Sequence, residues 1–216
     1  FNQETYLEHG VLLMKIGEFD AAEDALRNAL HIDPANPEVN IHYALLLTKK
    51  GSLNSAESHY LKAIEKAPES PDNQVAFAMF LLKSERVEEA EQALLNALEI
   101  DPNSPEAGLR HAMLLADQQR GEEAEKRLRK SLKANPGYPD LHLYYAQFLS
   151  KDGRPKQADD HFKTTLKLDP MNPRAHFSYG VHLSRYGLKE DAQIHLEKAA
   201  EIDPQYRSFA ESILQL

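Results

Sequence analysis

Six prolines are spaced 34 residues apart along almost the whole chain, and a second series follows at an offset of three residues. The two series are Pro34, Pro68, Pro102, Pro136, Pro170 and Pro204, then Pro37, Pro71, Pro105, Pro139 and Pro173. Because proline interrupts helices and central strands, such a series marks the boundaries of equivalent units. A fixed period of about 20–50 residues is typical of repeat proteins, whose single units cannot bury their apolar faces alone. We therefore expect a stack of six similar units.

Each period contains the signals of two helices. Four of the second-series prolines follow Asn or Ser, which is the pattern of a helix N-cap before proline at the first helical position. From Pro37 onward apolar residues recur at helical spacing, and Gly51 follows where a helix commonly ends. A second helix is predicted from about residue 53 to residue 66, before Pro68. The sequence therefore predicts an all-α fold of antiparallel helix pairs.

The residue types at fixed places of the period resemble those of the tetratricopeptide repeat family. In the second unit these residues are Tyr43, Ala44, Leu47, Ala56, Tyr60, Ala63 and Pro68, and similar residues fill the same places in the other units. The resemblance implies a right-handed α-solenoid superhelix in residues 1–206. Its six repeats would be residues 3–36, 37–70, 71–104, 105–138, 139–172 and 173–206. Residues 207–216 would form a C-terminal capping helix or the start of a further repeat.

Two features of the repeats lead to structural expectations. Small residues, among them Gly10 and Gly180, occupy the place where the first helix of a repeat approaches the second closely. Glycine stands at the turn between the helices in most repeats, but Glu85 and Gln119 stand there in the third and fourth. Those two repeats are expected to turn slightly differently.

Composition disfavours several classes of function. The 25 Lys and Arg residues against 34 Asp and Glu give a net charge of −9, and nucleic-acid binding needs clustered positive charge. Without cysteine the chain has no disulfide, thiolate metal site or cysteine nucleophile. No apolar run approaches the roughly 18–20 residues of a membrane span, so we expect a soluble segment without membrane insertion, with the cytoplasm favoured. Because it begins with Phe1, we expect a processed chain or a piece of a longer one.

The sequence shows no pattern typical of a catalytic or metal-binding site. There is no HExxH motif, glycine-rich phosphate loop or nucleophile elbow. His59, His161 and His195 hold the same place in the second helices of their repeats, so they are whole repeats apart. His142 and His176 are equivalent in adjacent first helices and could lie near each other. The sequence therefore predicts a protein that is not an enzyme and that binds no cofactor or metal.

The resemblance places the binding surface on the concave face of the array, which the first helices line. The fifth and ninth places of these helices are apolar with one exception, which predicts an exposed apolar spine along the groove. Methionine near its centre suits contact with varied partners. Basic residues at the thirteenth place and acidic residues at the second place border the spine. The predicted groove residues are Leu7, Val11, Ile41, Leu45, Val75, Met79, Leu109, Met113, Leu143, Gln147, Phe177 and Val181.

An apolar groove with charged margins matches the recognition of an extended peptide or a helix. The leading hypothesis is a protein-interaction scaffold that binds an apolar or amphipathic segment of another protein. One alternative is the repeat domain of a larger enzyme or membrane protein, such as a glycosyltransferase. Others are a bacterial secretion or pilus-assembly factor, and self-association through the end repeats. The groove residues indicate polarity and do not identify the partner.

Overall fold

The structure, a computed structural model, describes residues 2–214, and within them the chain forms helices and no strands. The helices are α1 (Gln3–Ile16), α2 (Phe19–Ile32), α3 (Pro37–Lys49), α4 (Leu53–Lys66), α5 (Pro71–Lys83), α6 (Val87–Ile100), α7 (Pro105–Asp117), α8 (Gly121–Ala134), α9 (Pro139–Lys151), α10 (Pro155–Leu168), α11 (Pro173–Arg185), α12 (Lys189–Ile202) and α13 (Arg207–Leu214). None of these described helices is long and apolar enough to cross a membrane. The all-α class predicted from the sequence is confirmed.

The helices from α1 to α12 follow one another as tandem pairs, and the odd-numbered ones are the first helices of the repeats. α1 packs on α2, α3 on α4, α5 on α6, α9 on α10 and α11 on α12. Consecutive first helices also touch, as α1 does with α3, α3 with α5, and α9 with α11. The chain divides between Leu114 and Leu115, inside α7, into two compact units. Unit 1 precedes this division and unit 2 follows it.

The predicted N-caps hold the starts of the first helices. Asn36 Oδ1 accepts the backbone N–H of Val39 at 3.1 Å, and Asn172 Oδ1 accepts that of Ala175 at 2.9 Å. Each bond satisfies one of the N–H groups that the first turn of a helix leaves without a backbone partner. In α9 the N-cap residue is Tyr138, whose side chain makes no capping bond, and proline at the first position starts the helix without it.

The turn inside each repeat has a left-handed backbone, whichever residue occupies it. The φ angle is 60° at Glu85 and 63° at Gln119. It lies between 74° and 87° at Gly17, Gly51, Gly153 and Gly187. The third and fourth repeats therefore keep the same left-handed turn, with a φ angle slightly below that of every glycine turn. For a residue with a Cβ atom, the left-handed region costs about 1–2 kcal/mol of conformational free energy, so these two turns are strained.

The small residue in each first helix allows the two helices of a repeat to approach closely, as the sequence predicts. A Cβ atom built on Gly10 would lie 2.7 Å from Leu26 Cγ, and one on Gly180 would lie 2.7 Å from Leu196 Cγ. Both leucines are fully buried on the facing second helix. The residues at the same place in the middle repeats are Ala44, Ala78, Ala112 and Ala146, and all four are fully buried.

The C-terminal segment packs on the sixth repeat. A 3₁₀ turn (Pro204–Tyr206) leads into α13, which contacts α11 and α12. The ring centroids of Phe177 and Tyr206 are 5.0 Å apart, and Ala210 of α13 is buried. Phe209 of the same helix is 62% exposed. The choice between a cap and the start of another repeat stays a prediction, and residues 215–216 of that segment lie outside the described residues.

Candidate protein-interaction surface

The fifth place of the first helix is mostly filled by buried side chains. Leu7, Val75, Leu109 and Leu143 are each no more than 7% exposed, whereas Ile41 and Phe177 are half-buried. Consecutive first helices pack side by side, so a fifth-place side chain serves the contact between neighbouring helices. The expectation that most of the apolar spine is exposed is therefore wrong at these four positions.

The ninth place remains accessible along the first helices, and we call the surface around it the first-helix face. In unit 1 this place holds Val11, Leu45, Met79 and Met113, all half-buried and all apolar. Each of four successive first helices thus carries one apolar side chain that keeps part of its surface in water. Together these side chains form an interrupted apolar row. The row defines the character of the first-helix face in unit 1.

The first-helix face of unit 2 is more polar. Gln147, at the ninth place, donates from Nε2 to Ser178 Oγ at 2.8 Å. Two shallow cavities of about 300 and 280 Å³ share Gln147 and Lys151 in their walls. Tyr144 lines the first of these, and burial, together with the nearby Asp117 carboxylate, raises the pKa of Tyr144 to about 12. Its hydroxyl therefore stays a hydrogen-bond donor at neutral pH.

Part of the basic row at the thirteenth place serves the packing of repeats. Lys83 Nζ donates to the backbone carbonyl of Thr48 at 3.2 Å, and Arg185 Nη1 donates to that of Ser150 at 3.5 Å. Both carbonyls belong to the last turn of the preceding first helix, where backbone acceptors lack helical partners. These two cations therefore supply hydrogen-bond donors to the C-terminal turns of neighbouring helices. They are less available to a partner than the sequence alone implies.

The histidines of the fifth and sixth repeats pair within their own repeats. His142 Nδ1 lies 2.9 Å from His161 Nδ1, and His176 Nδ1 lies 2.9 Å from His195 Nδ1. His142 Nε2 donates to the Pro136 carbonyl at 2.9 Å, so His142 Nδ1 is the acceptor of the hydrogen bond that His161 Nδ1–H donates. The hydrogen-bond partners of His142 and His176 are therefore the second-helix histidines of their own repeats. No group of three metal-ligating side chains occurs among residues 2–214.

A similar polar arrangement occurs in the second repeat with asparagine in place of one histidine. His59 Nδ1 lies 2.7 Å from Asn40 Oδ1, and Asn40 Nδ2 donates to the Pro34 carbonyl at 3.1 Å. The sequence shows that His59, His161 and His195 are equivalent, but it does not show their partners nineteen residues earlier. The signal that could have found them is the polar residue at the fourth place of the same repeats.

Ionic contacts also join neighbouring repeats, and they were not predicted from the sequence. Glu23 in α2 and Glu125 in α8 hold the same place in their repeats, and each accepts a cation from the following repeat. Lys50 Nζ lies 2.5 Å from Glu23 Oε2, and Arg154 Nη1 lies 2.8 Å from Glu125 Oε1. These pairs are about three-quarters or more buried at the side chain. The signal in the sequence is an acidic residue that recurs in the second helix with the 34-residue period.

Two family models of the tetratricopeptide repeat match the chain. One matches residues 47–116 and 115–176, and the other matches residues 7–71 and 149–207. The chain therefore belongs to the tetratricopeptide repeat family, and its helix pairs fit about six repeats. Arrays of this family are typically non-catalytic scaffolds that support protein–protein interaction.

Solved structures share the fold at low sequence identity. PilF of Pseudomonas aeruginosa has a TM-score of 0.71 and 20% identity over 97% of each chain. A tetratricopeptide repeat protein from Parabacteroides merdae has a TM-score of 0.75 and 18% identity over 99% of this chain and 83% of that one. YrrB, described as having an unusual peptide-binding site, has a TM-score of 0.58 and 20% identity over 90% of this chain and 100% of its own. These likenesses show the fold alone. Comparison with curated protein sequences gives no match.

Proposed function

We propose that the chain is a non-enzymatic adaptor that binds an apolar or amphipathic segment of another protein on the first-helix face of unit 1. One observation carries this proposal. The ninth places Val11, Leu45, Met79 and Met113 present half-buried apolar side chains on four successive first helices. Partly exposed apolar residues repeated along one face are typical of protein-interaction surfaces. The fold of YrrB, which is described as having a peptide-binding site, supports a peptide-sized ligand.

The properties of the row favour an apolar or amphipathic segment. Met79 and Met113 are unbranched and repack around different side chains at little cost. The adjoining fifth-place residues Val75 and Leu109 are buried and fix the helices that carry the row. A bound segment would therefore meet a firm base with an adaptable surface. A helix with one apolar face would place its apolar side chains over successive first helices.

The test uses two substitutions on the row and two matched ones elsewhere in unit 1. Leu45→Glu with Met79→Glu adds two charges to the row. Ile32→Glu with Leu61→Glu adds the same charges at side chains that are 51% and 50% exposed on second helices. A photo-crosslinking amino acid at Val11 then captures partners from a lysate of the source cells. We expect the row variant to lose at least about tenfold of the crosslinked partner, and the control pair to retain it.

Circular dichroism of both variants checks that the helices persist. The crosslinked peptide of the partner is identified by mass spectrometry, which shows whether its segment is apolar or amphipathic. Equal crosslinking by the row variant and the wild-type chain would refute the proposed surface. A crosslinked segment that is uniformly charged would refute the proposed class of ligand.

A further inference from the structure

At two junctions between repeats, an arginine at the N-cap of a second helix binds a carboxylate of the preceding repeat. Arg86 places Nη1 2.7 Å from Glu57 Oε1 and Nη2 2.6 Å from Glu89 Oε2. Arg154 places Nη1 2.8 Å from Glu125 Oε1. The guanidinium therefore bridges one second helix and the start of the next, and it neutralises the carboxylates there.

The junction between the fifth and sixth repeats keeps the carboxylates but lacks the arginine. Asp159 follows Glu125 by one 34-residue period, and Asp191 stands at the place that Glu89 holds in its repeat. The N-cap residue of α12 is Leu188, which follows Arg154 by one period. An apolar residue therefore stands where the third, fourth and fifth repeats have arginine at the N-cap of the second helix.

A cavity of about 750 Å³ lies at this junction. Its wall includes Asp159 and Asp191 together with Tyr179, Leu188 and Ile194. Leu188 is 52% exposed and Ile194 is 63% exposed, so apolar surface surrounds the acidic groups. Asp191 makes no direct ion pair or hydrogen bond within residues 2–214. The cavity therefore offers carboxylate and apolar contacts at the same place.

The lysine already bound to Asp159 does not prevent a second cation. Lys163 Nζ lies 2.5 Å from Asp159 Oδ2. In the same arrangement one repeat earlier, Arg129 Nη2 lies 2.7 Å from Glu125 Oε1, and that oxygen also binds Arg154. A carboxylate at this place of the repeat therefore binds one cation from its own helix and one from outside it.

The remaining titratable groups around the cavity add little positive charge inside it. Lys156 and Lys167 line the cavity, and both residues are exposed to solvent. Burial lowers the pKa of His182 and also that of His195, so both rings are neutral near pH 7. The Tyr179 hydroxyl donates to Asp159, and its ring forms part of the wall. Lys163 also lines the cavity, and its pKa is raised by Asp159 and, more weakly, by Asp191. The groups able to receive a further cation are thus Asp159 and Asp191.

We propose that this cavity binds an arginine side chain of a partner protein, within a segment that carries apolar residues next to the arginine. The guanidinium lies between Asp159 and Asp191, in the manner of Arg86 between its two glutamates. Arginine fits better than lysine because its planar group can bind two carboxylates at once. The apolar neighbours pack on Leu188 and Ile194. This surface is separate from the first-helix face, so the inference goes beyond the proposed function.

The test titrates a pentapeptide into the ¹⁵N-labelled chain and follows backbone amide shifts. The peptide has arginine between two leucines, alanine at each end and blocked termini. Two matched peptides carry neutral citrulline or glutamate in place of arginine. We expect shifts centred on Leu188, Asp191 and Ile194 with the arginine peptide, and about tenfold weaker binding of the citrulline peptide. The row variant Leu45→Glu with Met79→Glu should respond like the wild-type chain, which separates this surface from the proposed function.

Two substitutions supply a cation from the chain itself. Leu188→Arg supplies the arginine that the third, fourth and fifth repeats have at this place, so we expect a higher unfolding temperature and loss of the peptide shifts. Met171→Arg adds the same charge at a side chain that is 60% exposed and outside the cavity, and we expect it to change neither. The proposal would be overturned if the citrulline peptide bound as tightly as the arginine peptide, or if the glutamate peptide bound more tightly. It would also be overturned if millimolar arginine peptide caused no shifts, or if Leu188→Arg bound this peptide like the wild-type chain.

Discussion

Tyr145 donates its hydroxyl to Glu125 Oε1 at 2.8 Å, and this bond joins the first helix of the fifth repeat to the second helix of the fourth. The same carboxylate oxygen binds Arg154 and Arg129. These cations lower the pKa of Glu125, with the hydrogen bond from Arg154 as the largest cause. Neighbouring repeats are therefore held by a charged hydrogen-bond network as well as by apolar packing.

Removal of Arg154 should weaken this junction. Arg154→Ala leaves Glu125, which is only 21% exposed at its side chain, without its strongest cation. We expect the free energy of unfolding to fall by about 1.5 kcal/mol, measured by urea denaturation. Arg129→Ala removes a cation that is 63% exposed and should cost clearly less. A double-mutant cycle of Arg154 with Glu125 that shows no coupling would contradict the network.

The histidine pair of the sixth repeat should make stability depend on pH. Burial, and then the charge of His176, lowers the pKa of His195 below its ordinary value of 6.5. The unfolded chain therefore binds more protons than the folded chain below pH 6.5, and stability falls as the pH drops from there toward the lowered folded-state pKa. Urea denaturation at a series of pH values measures this loss.

The second repeat provides the matched variant for this pH dependence. His176→Asn reproduces the arrangement in which Asn40 faces His59. An asparagine oxygen can still accept the Nδ1 proton when His195 is charged, so the variant should lose less stability between pH 7.5 and 5.5 than the wild-type chain. Identical pH profiles of the two proteins would show that the histidine pair does not contribute.

Relief of the strained turn in the third repeat should stabilise the chain. Glu85 has a φ of 60°, a region that glycine enters freely. We expect Glu85→Gly to raise the free energy of unfolding by about 0.5–1 kcal/mol, because the gain in the folded state exceeds the added entropy of the unfolded chain. Glu85→Ala removes the same carboxylate but keeps the Cβ atom, so it should give no such gain. A gain with alanine equal to that with glycine would instead point to the charge.

The close helix contact of the sixth repeat should not tolerate a larger residue. Gly180→Ala would place a Cβ atom 2.7 Å from Leu196 Cγ and 3.1 Å from the Ala192 carbonyl oxygen. We expect a loss of about 1–3 kcal/mol in the free energy of unfolding. Gly137→Ala is the control, since no atom lies within 4 Å of its added Cβ. Thermal unfolding of both variants measures the difference, and a fully stable Gly180→Ala protein would exclude the clash.

The sequence predicted the repeated helix pairs closely because their signals are local. The second repeat was expected to have helices from Pro37 to about residue 50 and from residue 53 to residue 66, and the observed helices end at Lys49 and Lys66. N-cap residues, prolines and small residues act within one turn or one helix pair, and they recur with the 34-residue period in most of the repeats. The class of fold thus follows from the sequence alone.

The exposure of individual groove residues was decided by tertiary structure. Leu7 and Val11 are one helical turn apart in α1 and read alike in the sequence, yet Leu7 is buried and Val11 is half-buried. The difference depends on where the next first helix packs. Tertiary packing also decided the hydrogen-bond partner of His142, which is His161 of the same repeat.

The cavity beside Leu188 could be recognised only from the sequence and the tertiary structure together. The sequence contains the substitution of leucine for the arginine of other repeats, but only the packed structure shows that those arginines bind carboxylates of the preceding repeat. Periodicity establishes which residues are equivalent, because it acts along the chain. Contacts between helices establish what each equivalent residue touches, because side-chain burial and ion pairing depend on neighbours that are distant in sequence.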